Sequence, residues 1–379
     1  GNMLKQGVNG ARYLAGDRSG PLTIGASLAG SYTGVDPMGL VTSMDLPDQP
    51  GVAVYFPPSL DSVPVILALV ADGRITDSVT VLRRFLALGV RAAPVHEPDG
   101  PIGTLFFPAR SGPAPAILVL GGSEGGNSAV DVAAQLAAHG YATLSLAYFG
   151  VESLPRELDE IPLEYFARAI TYLREQPGVD STAIALFGTS KGAEAALLVA
   201  AHDPRVRAVV AYAPSSAVWS CICSSPSHSS WSLRGEGVPS VPPGRDPSVT
   251  TVSGQPQRLA VHYRYRMRNL EAVATAIIPV EQIKGPVMLV AGDADELWPS
   301  GEMARQVRAR LAAAPGRTGD TIFIYPEAGH RIGKSFVPAG STRVAGGRLE
   351  TGGTARANAA AQADAWPRVL RFLSTVFHH

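Results

Sequence analysis

The chain contains very little cysteine: Cys221 and Cys223 are the only two among 379 residues, and one residue separates them. Cysteines this close in sequence rarely form a relaxed disulfide, and a single pair does not make the framework of a disulfide-rich secreted domain. We therefore expect two reduced thiols in a reducing compartment, which favours a cytoplasmic location. Unless a base lies beside them, they are expected to be small buried hydrophobic residues rather than nucleophiles.

The chain also lacks net charge, because 32 lysine and arginine residues balance 32 aspartate and glutamate residues. A balanced chain has no global basic field that would attract nucleic acid or an anionic membrane. Long apolar runs are missing as well, since the longest, residues 63–71, is too short to span a bilayer. The N-terminal residues show no charged segment followed by an apolar core, so no signal peptide is predicted.

Residues 1–97 are rich in glycine, proline, serine and aspartate, and their short β-rich runs are separated by turn signals. The runs are residues 22–28, 52–56, 63–70 and 75–83. Short strands at this spacing are typical of a small β-sandwich. A chain of 379 residues is long enough for such a domain and a second, larger one.

From about residue 98 onward, strand-like and helix-like runs alternate. Strands are predicted at residues 104–108, 116–120, 142–148, 184–187, 206–213, 287–291 and 321–325. Helices are predicted at residues 130–138, 163–174, 193–201, 301–314 and 355–376. Repeated alternation with continuous apolar strands predicts a parallel sheet that helices cover on both faces. Ligands of such sheets bind at the carboxyl ends of the strands.

A G-x-S-x-G pattern lies between a predicted strand and a predicted helix, as Gly-Thr-Ser-Lys-Gly at residues 188–192. This context predicts a nucleophile elbow, a sharp turn that presents the hydroxyl of Ser190 at the end of the strand. Side chains at Gly188 and Gly192 would collide with the neighbouring strand and helix, so the turn needs glycine at both positions. The sequence therefore favours Ser190 as a catalytic nucleophile over a structural turn.

A serine nucleophile needs a base, and the base needs an acid that holds its tautomer. In this class of sheet the acid and then the base follow the serine along the chain. His330, after the strand at 321–325, is the predicted base. Asp293 and Asp295 both follow the strand at 287–291, and we favour Asp295 because Asp293 begins the loop and could form a turn or a cap. Four other histidines do not follow a late strand: His139, His202, His228 and His262.

The tetrahedral intermediate of acyl transfer needs an oxyanion hole. The backbone N–H of Lys191, directly after the nucleophile, is one predicted donor. The other is expected from the glycine-rich loop at residues 121–126, with the N–H of Ser123 favoured and that of Gly122 as the next choice. The loop lacks the G-K-[ST] and G-x-G-x-x-G patterns of phosphate-binding loops. The side chains of Lys191 and Glu194 could polarise the site, but fit better as ordinary residues of the first helical turn.

The alternation is interrupted at about residues 215–275, which are rich in serine, proline and glycine at first and more helical around 263–276. An insertion at this point lies over the carboxyl ends of the strands. We predict a lid or a cap on an acyl pocket, with a solvated loop as the alternative.

Several stretches resemble the acyl-CoA thioesterase / bile acid-CoA:amino acid N-acyltransferase family, in its bacterial branch. They include SYTGVDPMGL at 31–40, LVLGGSEGG at 118–126, AYFGVESLP at 147–155, GTSKGAEAALL at 188–198, IPVEQIKGPVMLVAGDADELWPS at 278–300 and YPEAGH at 325–330. The similarity covers nearly the whole chain from about residue 30 onward.

The resemblance implies a β-sandwich at residues 1–97, here shortened, followed by an α/β-hydrolase domain at residues 98–379. It also implies acyl transfer from a thioester, usually of CoA, by a triad of Ser190, Asp295 and His330. Some members of the family hydrolyse the thioester, and others pass the acyl group to an amine. Because the amidating members typically carry cysteine as the nucleophile, Ser190 favours hydrolysis.

The sequence thus predicts a serine-dependent acyl-thioester hydrolase that acts on an acyl-CoA or acyl-carrier-protein thioester and needs no metal or other cofactor. An acyltransferase that moves the acyl group to an amine or alcohol is the nearest alternative. A carboxylic-ester or dienelactone-type hydrolase is the second. A non-catalytic binding protein on a hydrolase scaffold is the third.

Overall fold

The computed structural model describes residues 26–27, 34–35, 39–42, 59–72, 74–334, 337 and 342–377. The predicted run at 52–56 and most of the run at 22–28 lie outside these residues. The strands are, in chain order, β1 (Ala26–Ser27), β2 (Gly34–Val35), β3 (Val63–Ala71), β4 (Arg74–Arg83), β5 (Arg91–His96), β6 (Ile102–Phe107), β7 (Ala114–Leu120), β8 (Ala142–Ala147), β9 (Ile161–Pro162), β10 (Val179–Thr189), β11 (Val206–Tyr212), β12 (Trp231–Leu233), β13 (Glu236–Gly237), β14 (Val287–Gly292), β15 (Thr321–Tyr325), β16 (Arg343–Val344) and β17 (Leu349–Glu350). The helices are α1 (Gly39–Thr42), α2 (Val130–Ala138), α3 (Leu163–Glu175), α4 (Lys191–His202), α5 (Ala260–Met267), α6 (Leu270–Ala276), α7 (Ser300–Ala313) and α8 (Ala355–Phe377).

An eight-stranded sheet in the order β15-β14-β11-β10-β7-β8-β6-β5 forms the centre of the structure. The strands from β15 to β8 are parallel to their neighbours, and β6 and β5 are added antiparallel at one edge. Every strand and helix predicted after residue 98 is present, within a few residues of its expected bounds. This mostly parallel sheet with an antiparallel edge and a strand–turn–helix around Ser190 is the α/β-hydrolase fold.

Two hydrophobic cores lie on opposite faces of the sheet, because successive side chains of a strand point to opposite sides. In β7, Leu118 and Leu120 join the core under α3, α4 and α7, whereas Ile117 and Val119 join the core under α2 and α8. All four side chains are fully buried. Burying each such side chain contributes about 1.5–3 kcal/mol. Helices therefore cover both faces of the sheet, and a ligand can reach it only at the ends of its strands.

Strand β5 precedes the predicted domain boundary at residue 97, and that boundary stays a prediction. Strand β5 (Arg91–His96) pairs with β6 and already belongs to the large sheet. Its side chains are exposed except that of Val95, and Pro94 fits only at an edge. Before β5, β1 pairs with β2 and β3 with β4 in two separate two-stranded sheets, so the β-sandwich itself stays a prediction.

The insertion after β11 is folded rather than a solvated loop. Strand β12 pairs with β9 and with β13 in a small three-stranded sheet, and α5 and α6 follow. Trp219 and Trp231, at the start of the insertion, are fully buried. Its action as a lid stays a prediction. Within the described part of the chain, no helix combines the length and apolarity that crossing a bilayer requires.

The two cysteines are joined in a disulfide, so the expectation of two reduced thiols is wrong for this structure. Cys221 is buried, as expected, and Cys223 is half-buried. Their Cα atoms lie 5.4 Å apart, within the usual range for a disulfide. The argument for a reducing compartment loses its basis, and the cytoplasmic location stays a prediction.

The turn from β10 into α4 depends on glycine for the predicted reason. A Cβ atom on Gly188 would lie 2.1 Å from the carbonyl oxygen of Gly192. A Cβ atom on Gly192 would lie 2.2 Å from the carbonyl oxygen of Gly121 and 2.5 Å from that of Leu120. Helix α4 therefore begins in direct backbone contact with the end of β7.

We expect Gly192→Ala to destabilise the protein by about 1–3 kcal/mol, the usual range for overpacking, because backbone atoms of β7 or α4 must shift. Urea unfolding measures the change. Gly244→Ala is the matched control, since the nearest atom to its new Cβ lies 3.5 Å away on a flexible arginine side chain. Equal stability of the two variants would contradict this interpretation of the turn.

Candidate active site

Ser190 occupies a strained backbone conformation at the tip of the turn. Its φ is 58° and its ψ is −123°, a region that residues other than glycine rarely adopt. Its N–H donates to the carbonyl oxygen of Tyr212 on β11 at 2.9 Å, and its carbonyl oxygen accepts from Ala193 and Glu194 at the start of α4. Hydrogen bonds to β11 and α4 therefore stabilise the strained backbone of Ser190. The serine side chain lies at the carboxyl end of β10.

Asp295 and His330 are in direct contact. Nδ1 of His330 lies 2.8 Å from Oδ2 of Asp295, and both residues are almost completely buried. An ionised carboxylate only accepts hydrogen bonds, so this contact places the proton on Nδ1 and leaves Nε2 as the basic nitrogen of the ring. The rings of Trp298 and His330 pack in a T-shaped arrangement, with their centroids 5.9 Å apart.

The carboxylate of Asp295 is held at both oxygens. Oδ1 accepts the backbone N–H groups of Leu297 at 2.9 Å and Trp298 at 3.2 Å. Oδ2 accepts the hydroxyl of Ser300, at the start of α7, at 2.6 Å in addition to His330. These bonds fix the orientation of the carboxylate. The carboxylate is therefore positioned before any substrate arrives.

Asp293, the alternative acid, has a different partner. Its two carboxylate oxygens accept hydrogen bonds from the Arg305 guanidinium at 2.7 and 2.6 Å, and about a third of its side chain is exposed. This ion pair ties the start of the loop to α7. The structure therefore brings Asp295, and not Asp293, to the histidine.

A segment far along the chain, residues 351–353, joins the acid loop to the histidine loop. The carbonyl oxygen of Thr351 accepts the N–H groups of His330 at 2.8 Å and Glu296 at 3.4 Å. A Cβ atom on Gly352 would lie 1.9 Å from the carbonyl oxygen of Ala294, so the approach requires glycine. Residues 351–353 carry no sequence pattern that predicts this role.

The histidine loop also contacts the nucleophile turn. A Cβ atom on Gly333 would lie 2.8 Å from the side chain of Thr189, the residue before Ser190. The guanidinium of Arg331 lies 3.7 Å from the carboxylate of Glu124 in the glycine-rich loop. The loops after β7, β10, β14 and β15 therefore meet at one edge of the sheet, where the carboxyl ends of the parallel strands lie.

The glycine-rich loop is oriented by Tyr148, which sequence reasoning missed. The buried hydroxyl of Tyr148 lies 2.7 Å from the carbonyl oxygen of Gly121 and 2.9 Å from that of Gly122. In a planar trans peptide the N–H points away from its carbonyl oxygen, so the N–H groups of Gly122 and Ser123 point away from Tyr148. Gly122 lies against the serine, since its Cβ atom would lie 3.3 Å from Cβ of Ser190. These are the two N–H groups that the sequence nominated in this loop.

The N–H of Lys191, the other nominated donor, is the first of α4 and so has no acceptor within its own helix. It lies at the positive end of the helix dipole, next to the serine. A developing negative charge at Ser190 would therefore face backbone N–H groups from two directions. Such an arrangement suits acyl transfer through a tetrahedral oxyanion.

The side chains of Lys191 and Glu194 are not ordinary residues of a first helical turn. Both are completely buried, and Nζ of Lys191 lies 2.8 Å from Oε1 of Glu194. The same Oε1 atom accepts the backbone N–H of Trp219 at 3.2 Å and the indole N–H of Trp231 at 2.8 Å. Burial lowers the pKa of Lys191, and the neighbouring carboxylate opposes that shift. The ion pair fastens the insertion to the helix that follows the nucleophile.

Three of these contributions had a weak signal in the sequence. Tyr148 ends a predicted strand, Ser300 precedes a predicted helix, and the Gly-Gly pair of 352–353 marks an unusual backbone position. Each acts through a contact with a residue distant in sequence or across a loop. Local sequence patterns therefore mark these residues as polar residues or glycines but do not predict their contacts.

Comparison with known proteins agrees with this architecture. The family described as "Acyl-CoA thioester hydrolase/BAAT N-terminal region" matches residues 12–97, and "BAAT / Acyl-CoA thioester hydrolase C terminal" matches residues 161–378. The chain is 33% identical over 381 residues to acyl-coenzyme A thioesterase 2, mitochondrial, of Rattus norvegicus, a match that covers 97% of this chain and 79% of the relative. It is 33% identical over 377 residues to the peroxisomal succinyl-coenzyme A thioesterase of Mus musculus, covering 96% and 85%.

A solved structure, a dienelactone hydrolase-like phosphotriesterase from metagenomic libraries, covers 76% of this chain and 99% of its own at a TM-score of 0.48 and 17% identity, which is too distant to bear on function. The sequence matches extend over both the N-terminal region and the α/β-hydrolase domain. Identity of 33% over nearly the whole chain is higher than a shared fold alone produces. The chain therefore belongs to the acyl-CoA thioester hydrolase/BAAT family.

Proposed function

We propose that this chain is an acyl-CoA thioester hydrolase that works through an acyl-enzyme on Ser190. The observation that carries the proposal is the contact between Asp295 and His330, which leaves a basic Nε2 at the same sheet edge as a serine in a strained turn. A thioester substrate fits the family, and the relatives reported above are named for coenzyme A thioesters.

In the first half-reaction, His330 removes the proton from Ser190 as the serine oxygen attacks the thioester carbonyl. Asp295 stabilises the imidazolium that forms, and the N–H groups of Leu297 and Trp298 and the hydroxyl of Ser300 hold its carboxylate in position. The oxyanion is stabilised by the backbone N–H groups of Lys191 and Ser123, or of Gly122 in place of Ser123. The carbon–sulfur bond then breaks, and the CoA thiolate takes the proton from His330.

In the second half-reaction, His330 activates a water molecule that attacks the acyl-enzyme. The same oxyanion donors stabilise the second tetrahedral intermediate. The carboxylic acid product then departs, and His330 returns the proton to the oxygen of Ser190. Water rather than an amine is the proposed acceptor because the nucleophile is serine, whereas the amidating members of the family typically carry cysteine. The folded insertion, anchored on Glu194, is the proposed cap of the acyl pocket.

The products of an acyl-CoA substrate test the proposal. We expect free fatty acid and free CoA in equal amounts, with no amide when an amino acid amine is added. Quantifying the released thiol and both acyl products by mass spectrometry gives the ratio. An amide that replaces the free acid would identify an acyltransferase, and turnover of simple esters without turnover of thioesters would identify an ester hydrolase.

Replacing each of the two candidate acids by asparagine tests the assignment of the triad. We expect Asp295→Asn to lower kcat by about 10⁴-fold, because the amide no longer stabilises the imidazolium or holds its tautomer. Asp293→Asn is the matched control and is expected to leave kcat nearly unchanged, since its partner is Arg305. Steady-state kinetics with one acyl-CoA decides the point. Loss of activity in Asp293→Asn alone would reverse the assignment.

Removing one hydroxyl tests the oxyanion loop. We expect Tyr148→Phe to lower kcat by up to about 10²–10³-fold, the cost of losing a single oxyanion donor, because Gly121 and Gly122 lose their anchor. Tyr165→Phe is the matched control, since its hydroxyl also makes two backbone hydrogen bonds, to Ala147 and Ile102. Both variants should lose similar stability in urea. A fall in kcat of the same size in both would contradict a special role for Tyr148.

A further inference from the structure

Two sulfur atoms of the insertion, from Cys221 and Cys223, lie close to the carboxylate of Asp159. The proposed hydrolysis does not use these three residues. Ile222 forms an antiparallel bridge with Leu158, and its N–H donates to the Leu158 carbonyl oxygen at 3.2 Å. The disulfide brings the side chains of Cys221 and Cys223 together. Asp159, the residue after Leu158, faces them.

The donor atoms of this cluster are close enough to share one ion. Sγ of Cys221, Sγ of Cys223 and a carboxylate oxygen of Asp159 all lie within 4.8 Å of one another. Cys221 is buried, and Cys223 and Asp159 are half-buried, so an ion here would be only partly hydrated. Residues 221–223 thus supply two ligands, and the neighbouring segment supplies the third.

A histidine holds the carboxylate from its other side. Nδ1 of His228 lies 3.2 Å from Oδ1 and 3.4 Å from Oδ2 of Asp159. Imidazole–carboxylate contacts of this kind commonly orient a ligand in metal sites. The carbonyl oxygen of His228 also accepts the N–H of Cys221 at 2.8 Å, so the histidine is fixed to the cysteine segment.

The far end of the segment is fixed as well. The carboxylate of Glu157 accepts the backbone N–H of Ser224 at 3.1 Å and its hydroxyl at 2.9 Å. Backbone on both sides of the two cysteines is therefore held in place, and the ligand atoms do not depend on a loop free to rearrange. Such support is what a metal site requires of its surroundings.

We propose that the reduced chain binds one zinc ion through Cys221, Cys223 and Asp159, with His228 as the residue that positions Asp159. Two thiolates and an oxygen ligand suit tetrahedral zinc, and a water molecule completes the coordination. The proposal is independent of the hydrolysis at Ser190.

Formation of the site begins from the disulfide. A low-molecular-weight thiol or dithiol reduces the bond: the S–S bond breaks, each cysteine sulfur gains one electron and one proton, and the reductant becomes a disulfide. Zinc then displaces both protons and forms two zinc–sulfur bonds. The disulfide and the zinc site are therefore mutually exclusive states of the same two residues.

Cobalt(II) is the probe, because it takes the place of zinc and its bonds to sulfur absorb light. The full chain is reduced under anaerobic conditions, freed of reductant and titrated with cobalt(II). We expect sulfur-to-cobalt charge-transfer absorption that saturates at one ion per chain and disappears when zinc is added. Competition between zinc and a chromogenic chelator then gives the zinc affinity.

Substitutions assign the ligands. Cys221→Ser and Cys223→Ser should each reduce or abolish the charge-transfer absorption, and Asp159→Asn should weaken zinc binding. His228→Gln should weaken it by about 10–100-fold, the usual effect of losing a residue that orients a ligand. His96→Gln, which changes an exposed histidine elsewhere, is the matched control and should bind as the unsubstituted chain does.

Thiol counting separates the outcomes. Two reactive thiols after reduction, together with no more cobalt absorption than a chain carrying both Cys221→Ser and Cys223→Ser, would overturn the proposal and leave only a structural disulfide. Thiols that stay unreactive under reductant would overturn it equally. Equal zinc affinity of His228→Gln and His96→Gln would remove the positioning role of His228.

Discussion

The close backbone contact between Gly192 and the end of β7 is the constraint on which the site depends. No Cβ atom fits between Gly192 and the carbonyl oxygens of Leu120 and Gly121. The first turn of α4 follows Ser190, and the glycine-rich loop follows Leu120, so one contact sets the serine and the proposed oxyanion donors relative to each other. Tyr148 then fixes the direction of the loop. Geometry of this kind is established by folding, which is how a preorganised site avoids reorganisation during reaction.

Much of this arrangement could be predicted from the sequence, because the strand–turn–helix around Ser190 and the loops holding Asp295 and His330 follow local periodicity and chain order. The contributions of Tyr148 and of residues 351–353 could not, since they act through contacts that leave no periodic signal. The cysteine pair was misjudged because sequence spacing does not reveal the local backbone conformation that brings the two side chains together.

The insertion is coupled to the catalytic helix by an electrostatic anchor rather than by apolar contact alone. Glu194 receives hydrogen bonds from Lys191 and from two tryptophans of the insertion, all in a fully buried setting. Removing one partner of such a pair typically costs about 3–5 kcal/mol, because the other charge is left buried and unpaired. The segment that contacts Lys191 through the carbonyl oxygen of Trp219 leads directly to Cys221. The proposed zinc site is therefore continuous along the chain with the cap of the proposed acyl pocket.

The proposed mechanism requires that Ser190 carries the acyl group during turnover. The most direct measurement mixes the protein with an acyl-CoA, quenches within the first turnover and determines the masses of the proteolytic peptides. The account predicts that the acyl mass is found on the peptide containing Ser190, and that Ser190→Ala shows neither this mass nor CoA release above background. Full CoA release by Ser190→Ala, or an acyl group on a different residue, would contradict it.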